Sequence, residues 1–346
     1  MHKGSSFSRA IKHKAVPLLA ILILLMIVTM IISSGVLTGR PFSALFTRGF
    51  LSSGNLLNIF NKLAVQSLML CGMACILIGG NIDLSILGQA GISAMVFAWL
   101  CQNTALPWGV ALLAVVVMAI CLGLINTFLV SKLMFPAFIA TIGMSTIYAG
   151  LSNVMTQGNN INVARVTFTN IGRGNFGGFL PYTFLFAVVV LVLYQFILSK
   201  TTLGRGVFMC GGNPNAARLS GLKPDRVRLL LFVNNSVLSA VGGILYTAQY
   251  KFASPTAMTS SGFDFRVISA SILGGVSFMG GTGSIGGAFV GLTLLNVFEN
   301  MLNVLKIQQY WILFASGALM VVALIIDYIN AERRRKALLV AAISGD

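Results

Sequence analysis

From Ala15 to Ile326 the sequence alternates long apolar runs with short polar breaks. A helix needs about 20 residues to cross the hydrocarbon core of a bilayer. Runs of that order occupy Ala15–Ile32, Leu56–Gly79, Leu106–Val130, Phe135–Met155, Leu180–Leu198, Leu229–Tyr250, Ile285–Leu305 and Tyr310–Ile326, with shorter ones at Gly88–Cys101 and Val267–Phe278. Only 9% of residues are charged, against about 25% in soluble domains, so this much apolar surface has to meet lipid. The expected fold is all-α, because a helix satisfies its own backbone in hydrocarbon: a single transmembrane domain over residues 1–346, a bundle of about ten helices. Ser33-Ser34-Gly35 imitates a signal-peptidase site, but the run before it exceeds the usual signal core of about 7 to 15 residues and reads as an uncleaved first helix.

The 23 Lys and Arg outnumber seven acids, for a net charge of +16. They cluster between apolar runs, which is the pattern of membrane orientation rather than of nucleic-acid binding. With the N-terminus inside, one side holds Lys3, Arg9, Lys12, Lys14, Lys132, six bases between residues 199 and 228, Arg333, Arg334, Arg335 and Lys336. The other side holds eight: Arg40, Arg48, Lys62, Arg165, Arg173, Lys251, Arg266 and Lys306. Both termini and the segment 199–228 are therefore expected in the cytoplasm.

That segment, SKTTLGRGVFMCGGNPNAARLSGLKPDRVR, sets Lys200, Arg205, Arg218, Lys223, Arg226 and Arg228 against Asp225 alone. Asn213 can cap a short helix that Pro214 opens, Gly221 can end it, and Pro224 blocks its resumption. A capped basic segment between spans suits a docking surface; a solvated loop that satisfies topology is the competing reading.

Two places break the helical pattern at membrane depth, near residues 79–88 and 274–285. In Gly79-Gly80-Asn81-Ile82-Asp83-Leu84-Ser85 paired glycines stop one helix and Asp83 or Ser85 can cap the next, with no base between Lys62 and Lys132 to neutralise Asp83. An intramembrane carboxylate costs about 2.5 to 3.5 kcal/mol at the bilayer centre, so it reads as a helix cap or as part of a wet functional site. Laying Gly79-Gly80 on Gly274-Gly275 also superimposes Gly88 on Gly283 and Gly91 on Gly286, a weak internal repeat of the kind transporters use.

Thr141, Ser145, Tyr148 and Ser152 fall along one helical face, and Asn296, Asn300 and Asn303 along another, with Glu299 beside them. Such faces either line a pathway for a hydroxylated solute or bond helix to helix. Gly283, Gly287 and Gly291, four apart, let a neighbouring helix approach closely. The five cysteines mostly sit in apolar runs and read as packing, and His2 and His13, the only histidines, precede the first span. No phosphate loop, zincin helix or nucleophile elbow is present, and no metal site is expected. The chain therefore shows no means of doing chemistry itself.

Several segments together resemble one family: GGNIDLS at Gly79–Ser85, PAFIATIGMSTIYAG at Pro136–Gly150, TLGRGVFMCGGNPNAARLSG at Thr202–Gly221, ISASILGGVSFMGGTGSIGG at Ile268–Gly287, and the ending Ala323–Asp327. They are similar to the permease subunits of bacterial ATP-binding-cassette importers for monosaccharides of the ribose and galactose type. The resemblance implies a subunit of the inner membrane, paired with a second copy or a sister permease. ATPase subunits, which hold the ATP and Mg, dock beneath, and a periplasmic binding protein delivers the solute. This chain itself would hold no cofactor.

The resemblance also implies that Gly204, Arg205, Gly211, Gly212, Asn213, Ala216, Ala217, Arg218, Ser220 and Gly221 couple to the ATPase. Asp83, Ser85, Thr141, Ser145, Asn296 and Asn300 are the candidates for the translocation pathway. Two departures stand out: Ile86-Leu87 follows Ser85 where the family has Val-Gly, and Asn234-Asn235-Ser236 replaces Leu-Ser-Gly. The same machinery could carry an autoinducer or a nucleoside, and an ion-coupled secondary transporter is the reading from a different class.

Overall fold

The computed structural model describes residues 23–24, 26–35, 39–41, 43–44, 48–163, 167–256, 263–319, 321, 322, 325, 328, 329 and 332. The terminal basic clusters, Arg165, the start of the first apolar run and most of Ala323–Asp327 lie outside them.

From residue 53 the chain forms α1 (Ser53–Ile78), α2 (Ile86–Asn103), α3 (Trp108–Thr127), α4 (Ala137–Thr156), the short α5 (Phe168–Arg173), α6 (Tyr182–Lys200), α7 (Thr202–Gly212), α8 (Pro214–Leu219), α9 (Pro224–Tyr250), α10 (Phe263–Leu273), α11 (Ile285–Val304) and α12 (309–319). Proline places many of the starts. Pro107, Pro136 and Pro181 stand at the N-caps of α3, α4 and α6, and Pro214 and Pro224 open α8 and α9, positions where the missing amide hydrogen costs nothing.

Among the described residues six helices are long and apolar enough to span a membrane: α1, α3 with its π-helical end Phe128–Lys132, α4, α6, α9 and α11. The runs read as short become α2 and the 11-residue α10. Among the described residues β-structure is confined to two antiparallel pairs at the end of the bundle remote from α7: β1 (Ile161–Asn162) with β4 (Phe252–Ala253), and β2 (Asn175–Phe176) with β3 (Leu180–Pro181).

The core is built around α1 and α9. From Leu63 to Ile78 every residue of α1 is buried, the mark of a helix apolar all round. Helix α9 packs on α1, α2 and α3. It can do so closely because small residues sit at the crossings: a Cβ on Gly243 would strike the Ala90 carbonyl, and one on Gly123 would strike the α9 backbone at Val233. By contrast α3, α4 and α6 leave Leu113, Val117, Ile139, Val154, Val189 and Val192 exposed, a surface suited to lipid rather than water. Gly287 and Gly291 pack against Gly274 and Ala270 of α10, so the glycine stripe serves a contact within the chain; Gly283 lies ahead of α11 in the preceding turn.

Candidate functional site

The polar segment folds as two helices where the sequence suggested one. Thr201 caps α7, its Oγ1 accepting from the Gly204 amide at 3.2 Å, and a Cβ on Gly204 would meet the carbonyls of Ile197 and Leu198. Asn213 then caps α8 as its sequence predicts, Oδ1 accepting from the amides of Asn215 at 3.0 Å and Ala216 at 3.1 Å. Gly221, at φ +82, ends it, with the Gly221 amide on the Arg218 carbonyl and the Leu222 amide on the Ala217 carbonyl. Ala217 is the buried side chain of α8, while Arg205, Ala216, Arg218 and Ser220 are exposed and Leu219 is 91% exposed. Helix α9 begins at Pro224, five residues before the apolar run, so Asp225 and Arg228 lie on its first turns 3.6 Å apart.

Directly behind α7 lie both helix breaks. Helices α1 and α10 end alike: the amides of Gly79, Gly80 and Asn81 bond the carbonyls of Cys75, Leu77 and Ile76, and those of Gly274, Gly275 and Val276 bond Ala270, Ile272 and Ser271. Gly80 and Gly275 both take positive φ, +73 and +91. The repeat therefore holds at the helix ends. It does not extend to the following glycines, because the second break is four residues longer: Gly88 lies inside α2, whereas Gly283 precedes α11.

The two breaks and α7 meet backbone to backbone. The Gly281 amide donates to the Ile78 carbonyl at 2.8 Å. A Cβ on Gly211 would strike that carbonyl and the Gly281 nitrogen, and one on Gly280 would strike Gly211 and Gly80. Gly212, where an added Cβ would lie 3.8 Å from Gly281, has room. Cys210 lies beside this joint as a thiol, burial raising its pKa more than the Arg228 charge lowers it.

Beyond the first break, Asp83 is fully buried and held by neutral donors. Oδ1 accepts from the Ser85 amide at 2.9 Å and the Ser85 hydroxyl at 2.5 Å, and Oδ2 from Asn235 Nδ2 at 2.9 Å. Ser85 Oγ in turn accepts from Gln89 at 2.8 Å and Asn126 at 2.7 Å, which uses all its hydrogen-bonding capacity. Tyr148 donates to Asn126 Oδ1 at 3.2 Å, and Thr141 Oγ1 accepts from the Leu84 amide at 2.9 Å. The network joins α2, α3, α4 and α9. The predicted face of α4 thus turns onto α2, where the Ser145 backbone stops any Cβ on Gly88.

The asparagine face of α11 meets a matching face of α1 instead. Asn300 and Asn55 exchange amide bonds at 2.8 and 2.9 Å, and Asn296 Nδ2 donates to Gln66 Oε1 at 2.5 Å. Between these rungs Glu299, buried, takes Lys62 at 2.8 Å and Arg266 of α10 at 3.0 Å. Asp83, Ser85 and Thr141 are thus gathered into one network, and Asn296 and Asn300 into a separate ladder. Sequence reading missed Gln66, Gln89 and Asn126, amides set inside apolar runs, a pattern that itself signals a partner across a helix contact. Asn235 was visible only as a departure from the family pattern.

Lipid-type outer faces, a core of helix breaks and an exposed capped helix pair mounted on them define a multi-pass membrane permease. Residues 55–324 match the family described as branched-chain amino acid transport system / permease component, and the chain belongs to that family. It is a membrane-spanning component of a transport system and not an enzyme. Similar proteins include the L-arabinose transport system permease protein AraH of Escherichia coli, 30% identical over 84% of this chain and 88% of its own length. The ribose import permease protein RbsC of Bacillus subtilis is 32% identical over 80% and 86%. The autoinducer 2 import system permease protein LsrC of Photorhabdus luminescens is 30% identical over 78% and 80%. No solved structure matches the chain.

Proposed function

We propose that this chain is the permease of an ATP-driven importer for a monosaccharide, which a periplasmic binding protein delivers and separate ATPase subunits move. The observation that carries the mechanism is the joint behind α7, where Gly211 touches Ile78 and Gly281 with no side chain between. An ATPase that grips α7 and α8 displaces a capped rigid piece. Because the joint is backbone against backbone in a close-packed interior, that displacement has nothing soft to dissipate into. It passes to both breaks, then through the Asp83 network to α2 and α9 and through the asparagine ladder to α11 and α1. A shift between two packed arrangements of this kind needs only a few kcal/mol of coupling.

On this reading residues 199–228 form the cytoplasmic coupling loop of one transmembrane domain, both termini are cytoplasmic, and the functional unit pairs this chain with a second copy or a sister permease. Gly204, Arg205, Gly211, Gly212, Asn213, Ala216, Ala217, Arg218, Ser220 and Gly221 act at the ATPase contact. Asp83, Ser85, Thr141, Ser145, Asn296 and Asn300 border the pathway: the side chains of all but Ser145 bond within the protomer and hold the helices around it, and Ser145 packs its backbone on Gly88. The sugar named in the arabinose and ribose relatives supports the substrate class. An autoinducer solute is the second reading, favoured by the autoinducer 2 import relative at equal identity.

The test is uptake in cells carrying the permease with its ATPase. Uptake is expected to stop when the ATPase is disabled and to persist with a proton uncoupler at constant ATP. Uptake that follows the proton gradient instead would assign the chain to ion-coupled transport.

A further inference from the structure

Two cavities at the loop end of the bundle share one cation. The first, of about 330 Å³, is walled by the joint glycines Gly79, Gly80, Gly211 and Gly212 together with Asn81 and Arg228. The second, of about 440 Å³, follows the turn between α3 and α4 past Val130, Met134, Phe135 and Phe138, and shares Gly80, Asn81 and Arg228 with the first. Arg228 reaches Ser131 Oγ at 3.3 Å and the exposed Asp225 carboxylate at 3.6 Å, but its buried Nε–H has no acceptor. Lys132, next to Ser131, is exposed on the same turn.

A chamber walled by glycine backbone and Arg228, sharing that wall with a more apolar chamber lined by Val130, Phe135 and Phe138, selects an amphipathic anion. We propose that the paired cavities bind an anionic phospholipid, its phosphate on Arg228 and an acyl chain in the apolar chamber. Guanidinium and phosphate match in charge and in fork geometry. Exposed Phe138, Ile139 and Ile142 continue the apolar surface along α4, where the rest of the chain can lie. Free phosphate or a phosphorylated metabolite would fill the polar chamber and leave the apolar one unused. On the orientation proposed above the site faces the cytoplasmic leaflet; binding itself does not depend on that orientation. Because Gly80 and Gly211 wall the site, an occupying lipid touches the joint through which the loop meets both breaks.

Native mass spectrometry of the full-length permease in detergent tests the site with equimolar phosphatidylglycerol and phosphatidylcholine. Phosphatidylglycerol should be retained in about tenfold preference, and Arg228→Gln should weaken its binding about tenfold, the scale of one charge-assisted bond. Arg226→Gln, on the exposed neighbour, should change it by less than about twofold, as a surface charge does. Ala137→Phe, which fills the apolar chamber while keeping Arg228, should weaken it too, so the test survives if Arg228→Gln fails to fold. Millimolar inorganic phosphate should not displace the lipid. Equal retention of the two lipids, equal loss with Arg226→Gln, or displacement by inorganic phosphate would overturn the proposal; so would displacement by the ATPase subunit, which would make the cavities a protein-docking surface. Binding in detergent needs no transport, so this result and the uptake test fail independently.

Discussion

The amide of Gly281 donates to the carbonyl of Ile78 across 2.8 Å, so the turn after α10 is bonded to the end of α1 although 203 positions separate them in the sequence. Neither break can shift alone without losing that bond. Gly211 of α7 sits against the same two groups, which makes the surface loop the third member of a joint that pattern reading had divided among three motifs.

If α8 is the element an ATPase grips, its most exposed apolar side chain belongs in the contact. Leu219→Glu places a charge where Leu219 is 91% exposed. Thermal stability should stay within about 0.5 kcal/mol, as for other surface changes, while co-purification of the ATPase falls. An unchanged yield of complex would remove α8 from the interface.

The Asp83 network predicts an asymmetry between two variants. Asn235→Leu deprives a buried carboxylate oxygen of its donor and should destabilise the protein by about 1.5 to 3 kcal/mol. Asp83→Asn should cost less, because the Asn235 Oδ1 atom is without a partner and a turned amide can accept from the new one. Unfolding in detergent, followed by intrinsic fluorescence, reads both. The reverse order would mean the charge itself is required there.

Glu299 sits between Lys62 and Arg266, so removing the acid breaks two ion pairs at once and removing one cation leaves a pair. Glu299→Gln is expected to cost about 3 to 5 kcal/mol, the scale for breaking a buried ion pair from one side. Lys62→Met, on a side chain 33% exposed, should cost markedly less. Equal losses in the same unfolding assay would show that the arginine alone does not hold the acid.

Local chemistry carried the features that could be read in advance. Asn213, Pro214 and Gly221 announce α8 because capping and φ preferences act within a few residues, and the paired glycines announce both breaks for the same reason. Helix α7 was hidden by Gly204, Gly206, Gly211 and Gly212 within its 11 residues, which look like loop until the close approaches at Gly204 and Gly211 are seen. The start of α9 was masked by Asp225, Arg226 and Arg228, charges that mark a span's end in sequence but here ride on its first turns. Lys62 and Arg266 entered only as loop charges for orientation. Their partner Glu299 lies 237 residues from Lys62, and no local pattern records such a pairing.

In the proposed mechanism α7 drives both breaks through the glycine joint, and one pair of variants measures that coupling. Gly211→Ala puts a Cβ onto the Ile78 carbonyl, whereas Gly206→Ala on the same helix meets nothing closer than 3.9 Å. Each is reconstituted with the ATPase and binding protein, and ATP hydrolysis and solute uptake are followed together. Overpacking of about 1 to 3 kcal/mol at the joint, if it falls on the coupled step, lowers uptake by about fivefold to a hundredfold. Gly211→Ala should therefore keep hydrolysing ATP while uptake collapses, with Gly206→Ala normal in both. Uptake by Gly211→Ala equal to that of Gly206→Ala would contradict the account.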